Sequence, residues 1–228
     1  MSDTQTHSTP DLLHQDRSDL QKELLRRSDL DQVSRSALLA GNYDYYARLI
    51  EIDDENAAWL EKVVDTVGWP GCSLVGEAGA HAAWLLAQHA DRRPSFQQRC
   101  QRLMEQAVAH DDASPVDLAY LTDRVLLAQG KEQIYGTQMV ARDGRYVASR
   151  LSDSANVDQR RASLGLEPLG SYLQEALERY GTPLPARVPC TSCKQEIEVW
   201  LPEVGGCQTF ECPSCGFAGR IRAYFPGI

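Results

Sequence analysis

The chain has no apolar run close to the roughly 20 residues a membrane helix needs. Its first residues, MSDTQTHSTPDLLHQD, offer neither a basic start nor an apolar stretch for a secretory leader. The expectation is a cytoplasmic protein without a membrane anchor. Positive charge is scarce: 23 Lys and Arg stand against 32 Asp and Glu, a formal net charge of −9. Phosphate backbones are held by clustered cations, so a protein partner or self-association is expected ahead of nucleic acid. No motif for an activated nucleophile, a phosphate-cradling loop or an open metal site occurs, and no internal repeat is visible.

With 228 residues and 43% hydrophobic content, the sequence can fill a core in one large domain, or in a medium domain with a small appendage. Residues 1–10 are polar and read as a disordered tail. Leucines at 12, 13, 20, 24 and 25 recur at helical spacing, and a second helical stretch passes through Asp31, Gln32, Val33 and Arg35 to Leu39 before Gly41-Asn42 breaks it. After Tyr43, Tyr45 and Tyr46, a helix is expected to start near Asp53 or Asp54, where carboxylates suit an N-terminus. It would bury Trp59, Leu60, Val63, Val64 and Val67 and end at the GWPG of 68–71.

The stretch VGEAGAHAAWLLAQHAD at 75–91 reads as the central helix. Gly79, Ala83, Ala87 and Ala90 form a strip of small residues that admits another helix backbone, and His81, Trp84, Leu85, Gln88 and His89 lie opposite. Neither side reads as a solvated face. Further helices are expected over 95–110, burying Phe96, Cys100, Leu103, Met104 and Val108, and from Ser114-Pro115 to Gln129. Residues 133–141 and 145–151 alternate around Arg142-Asp143-Gly144, the pattern of a hairpin. Helical patterns return over 156–164 and 168–180, stopped by Gly165 and Gly181. The fold class is mainly α: a helical domain (11–181) with one inserted β-hairpin, a linker (182–187) and a small β zinc ribbon (188–228).

Five of the seven cysteines lie between 190 and 215. Cys190-x-x-Cys193 and Cys212-x-x-Cys215 frame 18 residues (194–211), the spacing of a four-cysteine zinc module. Each knuckle presents two thiolates from a tight turn, and four thiolates complete a tetrahedron around a structural zinc with no position open to substrate. A segment this short has too little core to fold without such a staple. Gly216 supports the second turn. Ile197 to Leu201 and Arg220 to Phe225 suit strands, Arg220 and Arg222 near Phe217, Tyr224 and Phe225 suit a small stacking patch, and Cys207 is a spare thiol or a replacement ligand.

In the helical part, ionisable and amide groups sit among core residues. His81 or His89 with Asp123 suits general acid–base work. Arg124 or Arg161 would anchor an anionic group, and Trp84, Gln88, Gln133, Tyr135 and Gln138 would line or orient a small-molecule ligand. Eight helical residues place the two histidines about 12 Å apart along the axis, too far for one ion. The structural alternative makes the histidines satisfied core or surface groups, Asp123 and Arg124 ion-pair or capping partners, and Gln133 and Gln138 ties between hairpin and helices. Trp84 and Trp69 also suit the core, and Cys72 and Cys100 have no activating neighbour.

GWPG at 68–71, VGEAGAHAAWLLAQHAD at 75–91, FQQRC at 96–100, AYLTDRV at 119–125, QIYGTQ at 133–138 and VDQRRASLGLEPL at 157–169 together resemble an uncharacterised bacterial domain-of-unknown-function family. Asp31-Gln32-x-x-Arg35 and Asn56 also fit it. The resemblance covers roughly residues 20–180 and implies no activity; the zinc ribbon looks like an addition to the family's core. Ser152-Asp153-Ser154-Ala155 departs from the more proline-bearing segment usual there. Two functional readings stand: a binding or regulatory module acting through its ribbon, and a small-molecule or peptide-modifying enzyme using His/Asp chemistry.

Overall fold

The computed structural model of the protein describes residues 9–39, 45–183, 186–200 and 207–222. Of the expected tail, Thr9 and Pro10 belong to the first helix and residues 1–8 lie outside the described residues, as does Gly41-Asn42.

Helix α1 (Thr9–Leu39) is continuous over 31 residues, so the two separately read stretches are one helix. Nothing between them breaks it, and Glu23 pairs with Arg26 and Arg27 at the i+3 and i+4 positions. Helix α2 (Tyr45–Val67) starts well before Asp53 and Asp54. Leu49 and Ile52, each 1% exposed, carry the apolar stripe of Leu60 and Val64 back through that first part. Asp53 is therefore inside the helix, where it pairs with Arg35 and caps nothing. Val67, expected inside, is exposed.

Helix α3 (Cys72–Gln88) is interrupted at Gly76, whose φ of 71° and ψ of 168° separate a first turn from the main helix. The small strip is buried, and its Gly79 lies against α1: a Cβ there would stand 3.3 Å from Gln21 Cγ. The other side is mixed, contrary to expectation. Trp84, Gln88 and His89 are buried, whereas His81 keeps 59% of its side chain exposed.

Helices α4 (Pro94–Val108) and α5 (Pro115–Ala128) complete the central bundle. Both carry proline in the first turn, and Ser114 Oγ accepts the Asp117 amide at 3.2 Å as N-cap. The core joins Leu24, Leu60, Val64, Ala83, Ala87, Phe96, Met104 and Leu121 from all five helices.

Strands β1 (Met139–Arg142) and β2 (Arg145–Ala148) form the inserted hairpin, with Arg142 opposite Arg145. Asp143 (φ 50°) and Gly144 (φ 72°) are both left-handed, the two-residue turn that matches strand twist. Helices α6 (Val157–Ala162) and α7 (Leu169–Tyr180) follow.

The C-terminal part is two antiparallel pairs: β3 (Ala186–Pro189) with β4 (Glu196–Val199), and β5 (Cys207–Glu211) with β6 (Ala218–Arg222). β3 begins inside the expected linker of 182–187, because Ala186 and Arg187 pair with Val199 and Glu198. Cys190, Ile197, Val199 and Cys212 form a second apolar cluster. Leu201, Tyr224 and Phe225 lie outside the described residues.

Candidate functional site

The two cysteine knuckles are built alike. Cys190 N donates to Gln195 O at 2.8 Å and Lys194 N to Cys190 O at 2.9 Å; Cys212 N donates to Phe217 O and Gly216 N to Cys212 O, each at 2.9 Å. The residue after each second cysteine is left-handed, Lys194 at φ 64° and Gly216 at φ 70°. Lys194 thus performs the turn that only the glycine signalled in the sequence. Sγ of Cys190 and Cys215 are 3.8 Å apart, those of Cys193 and Cys212 3.7 Å, and all four thiols lie within 4.8 Å of one another. These separations are far too long for disulfides, which need about 2.05 Å. The four residues are a group able to hold a metal ion. Cys72 and Cys100 are elsewhere; burial pushes the Cys100 thiol up to about 12 and raises that of Cys72 as well.

In the helical part, several flagged residues converge on the loop 133–138. Asp123, fully buried, accepts Ile134 N at 2.7 Å, Tyr135 N at 3.1 Å, Thr137 N at 3.0 Å and Thr137 Oγ1 at 2.9 Å. Burial raises its pKa while these donors pull it back. From the other side, Arg160 Nε donates to Ile134 O at 2.8 Å and Arg161 Nη1 to Tyr135 O at 2.9 Å, with Arg161 also bound to Glu167 O and stacked over Tyr172. Gln133 stands in for a backbone rung: its Nε2 donates to Gln138 O and Ser149 O, and its Oε1 accepts Gln138 N at 2.9 Å. The loop is clamped by its N–H groups on α5 and by its carbonyls on α6. This accounts for the AYLTDRV, QIYGTQ and VDQRR segments as one packing unit.

Beside it lies a buried ionic centre. Arg124 makes a bidentate pair with Asp91, 2.7 Å from Nε and 2.5 Å from Nη2, and its Nη1 donates to Gln138 Oε1 at 3.0 Å. Gln97 Nε2 donates to Asp91 and to the Ala87 and Gln88 carbonyls that end α3. Arg35 on α1 contacts Asp53 on α2 at 2.6 Å, Asp31 at 3.1 Å and His89 Nδ1 at 3.1 Å. His89 Nδ1 is 3.0 Å from Asp31. Burial, with the positive charge of Arg35, holds the His89 imidazole down to about 4, so it is neutral near pH 7. Burial also pushes Asp53 up to about 7, with the charge of Asp31 adding to the effect. Asp31 would likewise rise on burial, yet His89 and Arg35 hold its carboxyl well below the usual range.

The sequence-derived constellation therefore divides. His89 meets Asp31, not Asp123. His81 meets Asp117 at 2.9 Å near the surface and lies on Trp84, ring centres 4.8 Å apart. Trp84 packs edge-on against Tyr120 inside the core. Gln88 and Arg124 border the ionic centre; Gln133, Tyr135 and Arg161 belong to the loop clamp, Tyr135 through its backbone. The sequence carries no site signal at Asp91 or Asp117, reads Asp53 only as a helix start, and carries Asp31 and Arg35 only within the family pattern. The available signal was the Asp31/Arg35 pair at i and i+4, which only packing turns inward.

No curated protein and no solved structure matches the chain. Residues 18–184, which span α1 from its third turn through the loop clamp and α7, match a family model, and the chain belongs to that family, DUF6624, a family of unknown function.

Proposed function

We propose that the protein is a zinc-stabilised binding module, in which residues 188–228 fold around a structural zinc and dock on a protein partner or a second copy of the chain. The closed set of four thiols carries this reading. A tetrahedron with Zn–S bonds of about 2.3 Å places its sulfurs about 3.8 Å apart, and Cys190–Cys215 and Cys193–Cys212 stand at 3.8 and 3.7 Å. Thiolate donors in this number favour zinc over harder ions. With all four positions filled by protein, the metal has no place for a substrate, so its role is to hold two hairpins together. Protein is favoured over nucleic acid by the overall charge of −9 and because Arg187 is occupied by Glu198. The helical domain of 11–181 serves as the scaffold.

Metal analysis of the purified full-length chain should give one zinc per molecule, lost in Cys212→Ser. Removing 183–228 should abolish partner capture while leaving the helical circular dichroism signal; a truncated chain that retrieves the same partners would remove this reading.

A second reading, acid–base chemistry on a small molecule or peptide, is favoured by one observation: neutral His89 beside Asp31, Arg35 and Asp53. Asp123 is saturated by donors of its own loop, so Asp31 and Asp53 replace it here. His89→Gln and Asp53→Asn should then keep the fold and lose turnover; unaltered turnover in both would end it.

A further inference from the structure

Charge does not balance in the ionic centre. Asp31, Asp53 and Asp91 face two arginines, Arg35 and Arg124, while Asp123 is neutralised separately by the loop N–H groups. Their side chains are no more than 17% exposed at Asp53, 13% at Asp91 and 0% at Asp31. A buried carboxylate without a counter-charge is strongly disfavoured, because it gives up its hydration with nothing to replace it. Among the described residues the centre thus holds one carboxylate more than it holds arginines, an excess that a proton on Asp53 or a bound cation answers.

We propose that Asp31, Asp53 and His89 bind one hydrated divalent cation, chemically distinct from the metal of the four cysteines. Their ligand atoms lie within 4.8 Å of one another. His89 Nδ1 stands 3.0 and 3.1 Å from the two oxygens of Asp31, the edge of an octahedron whose bonds are about 2.1 Å. An independent feature points the same way. Arg35 is 5% exposed and its Nη1 has no acceptor among the described residues, although its Nε and Nη2 touch Asp31, Asp53 and His89. A hydroxide carried by the cation is an acceptor for that N–H group, and the cation with its hydroxide adds one net positive charge, so one ligand matches both the extra carboxylate and the missing acceptor. Two carboxylates and an imidazole suit the Mn²⁺ and Fe²⁺ class, harder ions than the one the four thiolates favour.

The cluster is shared with the acid–base reading, but the two fail separately: cation uptake is read as binding, the other as turnover. Mn²⁺ is titrated into the zinc-loaded full-length protein and free Mn²⁺ is followed by electron paramagnetic resonance. The wild type should take up one equivalent, and His89→Gln and Asp53→Asn should each weaken uptake roughly tenfold or more. Asp117→Asn, at the exposed His81 pair, should leave it unchanged. Asp53 lies at the rim of the centre, so Asp53→Asn decides the matter if His89→Gln does not fold, as judged by circular dichroism. No uptake below about 1 mM, or equal uptake by wild type and Asp53→Asn, overturns the proposal.

Discussion

Asp123 accepts hydrogen bonds from four donors of a single loop, which makes its charge a folding device. Asp123→Asn would turn an NH₂ group toward N–H donors and should cost about 3 kcal/mol; urea denaturation measures the loss, and the amides of Ile134 and Tyr135 should exchange faster. A variant as stable as wild type that had lost a ligand would restore Asp123 to acid–base work. His81 is different in kind. Its hydrogen bond to Asp117 raises its pKa above 6.5, with partial burial opposing. Its folded value exceeds its unfolded one, so the pair stabilises the fold fully below pH 6.5 and loses that contribution as pH climbs through the raised value. An NMR titration should find His81 above 6.5 in the wild type and lower in Asp117→Asn; a wild-type value at or below the ordinary one would contradict the pairing. Residue identity announced that these groups were polar and sat among core residues. Which partner each one met depended on elements far apart in the chain.

Glycines at the ends of elements show how local geometry constrains the bundle. Gly71 lies against Asp112, whose carboxylate accepts Ser73 N at 2.6 Å and whose carbonyl accepts Cys72 N at 2.9 Å. A Cβ at Gly71 would overlap that carboxylate and carbonyl, so Gly71→Ala should cost about 2 kcal/mol. At Gly170, on α7, nothing lies within 4 Å of an added Cβ, and Gly170→Ala should gain about 0.5 kcal/mol from reduced chain entropy. Thermal denaturation of both variants tests the opposite signs; a neutral Gly71→Ala would mean that the α3 entry is not closely packed. Caps and turns at this scale were legible, because Ser114-Pro115 and Asp143-Gly144 act within a few residues. The start of α2 was not, since of the two acidic residues that resembled an N-terminus Asp53 is answered by Arg35 on α1 and Asp54 by Arg92 beyond α3.

Across the molecule, the apolar cluster of the helices and that of the cysteine knuckles share no residue. Removing metal with a strong chelator should therefore unravel β3–β6 while the helical circular dichroism band persists; simultaneous loss of both would mean that the two parts fold together. The sequence alone determined the helical class, the hairpin, and the four cysteines that come together, because periodicity, turn chemistry and Cys-x-x-Cys spacing are local properties. Tertiary structure alone decided that His89 faces Asp31, 58 positions away, that Asp123 clamps a loop, and that Asp31, Arg35, Asp53 and Asp91 share a buried centre with Arg124. Those pairings depend on the rotation of each helix about its own axis. That rotation is set by how the helices pack on one another, as where Gly79 lets α1 approach α3, and no single helical pattern carries it.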